Sequence, residues 1–428
     1  MHEYKATNLI CCRDSIVNKS DCCFDDINEN SPEQIEGLIS ILNSEDFSED
    51  LLEDKIHPII NHNYPIIFES GLFDRLLEII INSEIETSKK VFSIVSLITS
   101  NPKFDSVQVL SQDFLSFLFH QIETISDLSV YALYSLKDCF FSKIYSNSMI
   151  TMFDYNVIMQ YIRSDIQFPA VEKALEIMYI IVCNRDDYDE KMFSLAFNIL
   201  ENDVESFFSV CLWILYEIQN KNNEILLTVS FDIYISVLTT MLYGIQENVI
   251  IPCLLCYSKI IQKYNPPDEF FSQILTLTLH MSENVQILSI LIIIECLDMY
   301  FMMFCKNNLL TKLLYCLSSS SLQVKKKAIE LLCLLIKLSD NSTLMKIIDQ
   351  GLHRHLYMSL DIEDELPDYL LPTLMIIHNT YIDHNMVDQY HLIIEEYCVI
   401  ECLEEIYGNQ EKQRESVSFF LQQIYSYK

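Results

Sequence analysis

Residues 308–351 read NLLTKLLYCLSSSSLQVKKKAIELLCLLIKLSDNSTLMKIIDQG. LLTKLLYCLSS is a short amphipathic helix. LQVKKKAIELLCLLIKLSDN follows, with Val324, Ala328, Leu331, Leu332, Leu335 and Leu338 on one face of a longer helix. STLMKIIDQG then ends at Gly351, and LHRHLYMSL opens the next unit. No segment alternates long enough to make a strand.

An earlier stretch has the same form. PIIFESGLFDRLLEIII around Gly71 matches MKIIDQGLHRHLYMSL around Gly351: a short helix, a glycine, then a new helix. A sharp bend between helices needs a residue at positive φ, which glycine adopts without Cβ strain. Positive φ is therefore predicted at both glycines.

Working outward, a strongly apolar helix recurs near Phe92, Tyr131, Leu175, Trp213, Leu254, Leu291, Ile329, Leu374 and Phe420. The spacing is about 40 residues, the period of armadillo and HEAT arrays. Each unit buries its apolar face only against its neighbours, so residues 31–428 are expected to form one continuous all-α solenoid rather than two or three domains. Its start is expected at Ser31-Pro32-Glu33-Gln34, where Ser can cap, Pro suits the first helical position and Gln can close a capping box. Residues 1–30 lack helical periodicity and read as a flexible acidic tail.

Composition narrows the function. Five glycines in 428 residues, against about 30 at average usage, argue against β-rich folds and against phosphate-binding loops. The formal net charge of −33 disfavours nucleic acid and anionic membrane surfaces and favours a cationic partner. Most of the fifteen cysteines sit inside apolar helical runs, and MHEYKATNLI has no secretory h-region, so the chain is assigned to a reducing compartment, cytoplasm or nucleus. Ile287–Cys305 matches a bilayer in length, but Glu295 and Asp298 lie inside it, and a buried solenoid helix is expected. No GxSxG, GxxxxGK[ST], GxGxxG or HExxH motif occurs, so an enzyme is not expected, and no cofactor is.

Three segments resemble the importin-α (karyopherin-α) nuclear import adaptors, a family of armadillo-repeat proteins. ESGLFDRLLEIIINSEIETSKKVFSIVSLITSNP, with its lead-in SPEQIEGLISILNSED, is similar to the first repeat of that family. NSTLMKIIDQGLHRHLYMSLDIED is similar to a late repeat, and YHLIIEEYCVIECLEEIYGNQEKQRESVSFFLQQIYSY to the C-terminal cap. The resemblance implies a right-handed superhelix of about eight to ten armadillo-like repeats. It also implies a groove that binds lysine-rich nuclear localisation signals. In the family each groove helix carries Trp, three residues, then Asn; the rings slot lysine stems and the Asn holds the peptide backbone.

The array is eroded in this chain. Phe92 and Ser96 stand at the Trp and Asn positions of the first groove helix, Tyr131 and Ser135 in the second, Leu175 and Tyr179 in the third, Trp213 and Glu217 in the fourth. Glu330 and Leu334 fall there in the late repeat, and a C-terminal copy lies near Leu374 and His378. The peptide-binding candidates are thus Phe92, Ser96, Tyr131, Ser135, Trp213 and Glu217, with the aromatic rings as platforms for cations. The family's basic importin-β-binding segment has no counterpart, since residues 1–54 hold Lys5, Arg13 and Lys19 against fourteen acids. An importin-β-type carrier would need another surface. Two functions follow: an adaptor that carries basic cargo peptides into the nucleus, or a degenerate armadillo scaffold that holds another protein without a transport role.

Cys11-Cys12 and Cys22-Cys23 lack the CxxC spacing of zinc sites. His353-Arg354-His355 is expected to face solvent. The acidic runs at 46–54, 184–190 and 361–368 read as solvated loops or helix ends, and Lys325-Lys326-Lys327 opens a groove helix where positive charge opposes the dipole.

Overall fold

The computed structural model describes residues 66–69, 71–99, 112–124, 128–141, 154–163, 168–184, 190–202, 205–222, 225, 230–261, 265–361, 368–409 and 411–426. The tail at 1–30, the start at Ser31, both cysteine pairs and most of the acidic runs lie outside them. Among the described residues all regular structure is helical. The chain divides into two compact units, Met1–Ser230 and Phe231–Lys428.

The first unit contains α1 (Ile66–Glu69), α2 (Leu72–Asn82), α3 (Ile85–Thr99), α4 (Gln112–Glu123), α5 (Ser129–Phe141), α6 (Tyr155–Arg163), α7 (Phe168–Asn184), α8 (Glu190–Glu201) and α9 (Phe208–Lys221). Helices α3, α5, α7 and α9 pack side by side as a ladder. Each is backed by the helix before it: α2 on α3, α4 on α5, α6 on α7 and α8 on α9. The backing is repeated in detail. The Ser88 hydroxyl of α3 donates to the Ile80 carbonyl of α2 at 3.0 Å, and 41 residues on Ser129 of α5 donates to Gln121 of α4 at 3.0 Å.

The second unit contains α10 (Phe231–Met241), α11 (Glu247–Ile260), α12 (Asp268–Leu277), α13 (Glu283–Lys306), α14 (Leu309–Leu317), α15 (Leu322–Leu338), α16 (Asn341–Asp349), α17 (Arg354–Met358), α18 (Leu370–Asp383), α19 (Val387–Glu396), α20 (Val399–Asn409) and α21 (Arg414–Ser426). Its ladder is α11, α13, α15, α18 and α21, with the other helices packed around it. All nine apolar centres expected from the sequence fall in ladder helices, Phe92 in α3 through Phe420 in α21.

The ends of these helices are set by local chemistry. The Ser321 hydroxyl caps α15 by accepting from the Val324 amide at 3.3 Å. The Asp340 carboxylate caps α16 by accepting from the Thr343 amide at 2.8 Å, and that bond holds its pKa below the usual value. Gly71 and Gly351 take φ of 74° and 72°. At Gly351 the Gly351 amide donates to Ile348 and the Leu352 amide to Ile347, which is a Schellman motif. Asn385 (φ 56°) closes α18 the same way, through Asn385 to Ile382 and Met386 to Tyr381.

Helix α13 is long and apolar enough to cross a membrane by length and composition. Most of its first half, from Val285 to Leu297, is buried, and it packs on α11, α12 and α15. Its helical dihedrals break at Tyr300, whose hydroxyl donates to the Asn265 side chain at 3.0 Å.

Two glycine substitutions should move stability in opposite directions. Gly351→Ala meets no close atom, the nearest being Arg354 Cδ at 3.7 Å, so its cost is backbone strain of about 1 kcal/mol. Gly408→Ala lies inside α20 with open space around it and should stabilise by roughly 0.5–1 kcal/mol. Urea unfolding midpoints of the two variants check the signs.

Candidate functional site

The six sequence-derived candidates all lie on ladder helices of the first unit, and four of them meet. The Phe92 ring of α3 stacks on Tyr131 of α5 (centroids 6.2 Å, 27° between planes) and on Phe117 of α4 (5.8 Å, 26°). Ser96 Oγ lies 3.1 Å from Ser135 Oγ and 3.3 Å from the Tyr131 carbonyl. Phe92 is 0% exposed, Ser135 is buried, and Ser96 and Tyr131 are half-buried. These residues join α3 to α5. They do not form two open slots, because a ring with no exposed face has no room for a lysine stem.

The indole behaves likewise. Trp213 is 3% exposed, with Tyr179 of α7 at 6.5 Å and Tyr216 at 6.0 Å. Glu217 is half-buried one turn away. The reason is the packing of α9: Phe208, Cys211, Leu212, Trp213, Ile214, Leu215, Tyr216 and Ile218 are all buried, so nearly the whole circumference is core. The expected role of Phe92 and Trp213 as stacking platforms has no exposed surface in this arrangement.

Among the apolar side chains of the ladder lies a half-buried strip of charge across α5 and α7, its charged side chains 12–21% exposed. Lys137 Nζ is 3.0 Å from Asp138 Oδ1 and 3.9 Å from Glu176 Oε2. Lys173 Nζ is 2.9 Å from Glu176 Oε1 and stands over the Tyr134 ring, 5.1 Å from its centroid. Burial raises the Asp138 pKa, against the opposing pull of Lys137 and Lys173. For Lys173, burial lowers the pKa, but Glu176 and Glu172 outweigh it and leave it raised. Two lysines stand against Asp138, Glu172 and Glu176, so the strip is a set of paired charges with one carboxylate in excess. Beside it, Lys221 of α9 donates to the Val182 and Cys183 carbonyls at 2.6 and 3.1 Å, covering the C-terminal end of α7 where a cation is favoured.

The sequence reading missed these residues, although a signal existed. Lys137-Asp138 and Glu172-Lys173 are charged positions inside otherwise apolar ladder helices, and such residues fit only where charges pair at the edge of the core.

In the second unit a groove of about 760 Å³ runs between α16–α17 and α19, lined by Gln350, Arg354, His355, Tyr381 and Glu396 among others. His353, expected to face solvent, is instead buried, with Nε2 2.8 Å from the Tyr381 hydroxyl. It lies just beyond the Gly351 bend, which turns the chain back onto α18. Burial, and then the neighbouring Arg354 charge, lowers its pKa to about 4. His355 is lowered by burial and by Lys325, and His378 by burial and His391. Arg354 and Glu396 form a loose exposed pair at 3.9 Å. Within the lysine run, Lys327 pairs with Glu330 at 2.8 Å on the same helix.

Among the described residues no group of three His, Cys, Asp or Glu side chains is placed to hold a metal. Burial raises the Cys256, Cys296 and Cys333 thiols to about 12, where they are protonated and inert.

No family model matches the chain, and no curated protein matches it. Among solved structures it is similar to a crystal structure of an engineered protein, with a TM-score of 0.64 and 14% identity over 92% of this chain and 98% of that one. At that identity the likeness speaks to the helical fold alone.

Two outcomes are expected. Trp213→Ala should cost about 3–5 kcal/mol of stability, read by thermal or urea unfolding. His353 is neutral when folded and takes a proton when unfolded below its ordinary pKa. Its contribution to stability is therefore complete above about pH 6.5 and lost as pH falls toward 4. Acidification also relieves repulsion among the many carboxylates, so the contrast with His353→Gln is the measurement. Between pH 7 and 4.5 the wild type should lose roughly 2 kcal/mol more than that variant.

Proposed function

We propose that this chain is a protein-docking scaffold: an armadillo-like solenoid of about eight to ten repeats whose ladder faces hold segments of partner proteins. The observation that carries this reading is the ordered strip of Tyr134, Lys137, Asp138, Lys173 and Glu176. It is half-buried, with its charged side chains 12–21% exposed, crosses from one ladder helix to the next, and is fixed by ion pairs and a cation–ring contact. Such a strip offers donors and acceptors of both signs in fixed positions. It suits a polypeptide of mixed polarity lying across the helices, and specificity would come from matching the pattern.

The alternative, a carrier of lysine-rich nuclear signals, needs open aromatic faces and an excess of carboxylates. Phe92 and Trp213 are buried, and Lys137 and Lys173 already occupy the counter-charges in the strip. This geometry favours a scaffold without a transport role over the adaptor.

A paired experiment separates the two. A fluorescent lysine-rich peptide, titrated against the full chain, should bind no more than about twofold differently to the wild type and to Trp213→Phe. A tenfold loss in that variant, about 1.4 kcal/mol, with unchanged melting temperature, would restore the carrier reading. In parallel, a lysine-reactive cross-linker applied in cells should link partner peptides to Lys137 and Lys173. Partner links confined to other lysines would rule out the strip as the docking face.

A further inference from the structure

The second unit carries a surface that the ladder face does not explain. Three turns lead into ladder helices α11, α13 and α15, and they align without gaps: Tyr243-Gly-Ile245-Gln-Glu247-Asn-Val249, Leu279-His-Met281-Ser-Glu283-Asn-Val285 and Ser318-Ser-Ser320-Ser-Leu322-Gln-Val324. Their capping residues share one backbone conformation, φ/ψ of −81/119°, −82/125° and −76/124° at Gln246, Ser282 and Ser321. The first two turns are tied directly, Asn284 donating to the Glu247 carboxylate at 3.1 Å, and the adjoining helices add Gln273 of α12 to the Leu242 carbonyl at 2.7 Å and the Cys316 thiol of α14 to the Thr278 carbonyl at 3.6 Å. They therefore form a fixed edge with successive turns about 10 Å apart, the spacing of packed helices.

An apolar residue just before a helix cap ordinarily packs back onto the first turns of its own helix. Ile245 and Met281 hold that position but are 81% and 92% exposed, with Tyr243 at 58% beside them and Leu279 partly exposed. These four side chains have no such packing role. Together they expose on the order of 500 Å², within the range where an apolar patch on a monomer marks a binding surface. The pattern changes in the third turn. There serines replace the apolar pair, and Leu322, itself 48% exposed, replaces the glutamate that follows it in the first two. Apolar pair and carboxylate occur together and stop together. Neither Glu247 nor Glu283 is in an ion pair among the described residues.

We infer that this edge is a docking site for a segment of another protein that presents two apolar side chains about 10 Å apart, flanked by lysine or arginine. The apolar pairs on the two turns receive the apolar side chains, and the carboxylates at the helix starts receive the cations. A second copy of this chain is the poorer occupant, since it would bring another net charge of −33 to the interface. The inference rests on the exposed turns and not on the strip in the first unit, so either can fail alone.

The probe is a labelled amphipathic helical peptide of leucine and lysine, titrated by fluorescence anisotropy against the full chain at physiological ionic strength. Matched peptides of leucine with glutamate, and of alanine with lysine, serve as comparisons. The leucine–lysine peptide should bind, and both comparisons should bind at least tenfold more weakly. Ile245→Ser with Met281→Ser leaves the charge unchanged and should weaken binding at least tenfold without altering the melting temperature. Glu283→Lys should weaken it and flatten its salt dependence. Equal binding to wild type and the double-serine variant would overturn the site, because it would mean diffuse attraction to an acidic protein. Failure of the leucine–lysine peptide to bind would overturn it too, as would a self-association in sedimentation that the double-serine variant abolishes.

Discussion

Everything in this structure depends on apolar helices that are covered on both sides by their neighbours in the ladder. A helix such as α9 cannot satisfy its surface alone: α7 packs on one side and α8 on another, and what remains is too narrow to display an aromatic ring. The hydrophobic contribution is roughly 25 cal/mol per Å² of apolar surface removed from water, and in a ladder it is collected pairwise between adjacent helices. Residues that reach solvent are then few and predictable in kind. They are the charged stripe left between neighbours, the turns between layers, and the outer face of the backing helices.

That constraint explains how much of the fold was legible. The period of about 40 residues is visible because each ladder position needs one helix apolar enough to be sandwiched, and such helices stand out from the rest of the sequence. Gly71 and Gly351 were readable for a different reason. A bend into the left-handed region nearly requires glycine, and with five glycines in the chain a shared pattern at two of them is hard to produce otherwise. Asn385, which closes α18 with the same hydrogen bonds, was not readable, since asparagine has many other uses in a sequence.

The candidate site was much less legible, and the cause is again the sandwich. Direction can be read from a helix with one polar face. In α9 that face has shrunk to little more than Glu217 and Asn220, so the pattern does not tell which way Trp213 points. Phe92 suffered the same ambiguity, and its partner Ser96 turned toward Ser135 to complete a link between helices. His353 departs from the expectation because polarity does not by itself mean exposure. A neutral imidazole bonded to a tyrosine hydroxyl is tolerated in a core, as a charged group would not be. Lys137 and Lys173 point the other way: in an apolar helix their charge is itself the evidence of a stripe where charges pair at the edge of the core.

The distribution of charge adds a final constraint on recognition. The net charge of −33 attracts cationic molecules to the protein as a whole, but a field that broad selects for charge and not for identity, and physiological salt screens it beyond about 8 Å. Selection has to come from fixed, local features. In the first unit that feature is a half-buried lattice of paired charges, which a uniformly basic segment cannot match without displacing Lys137 or Lys173 from Glu176. In the second it is an apolar edge held by bonds from turn to turn and from the adjoining helices. The two surfaces therefore ask for different partner chemistry. Within each unit, a ladder helix is fixed by its neighbours, which leaves turns and charged stripes free to vary.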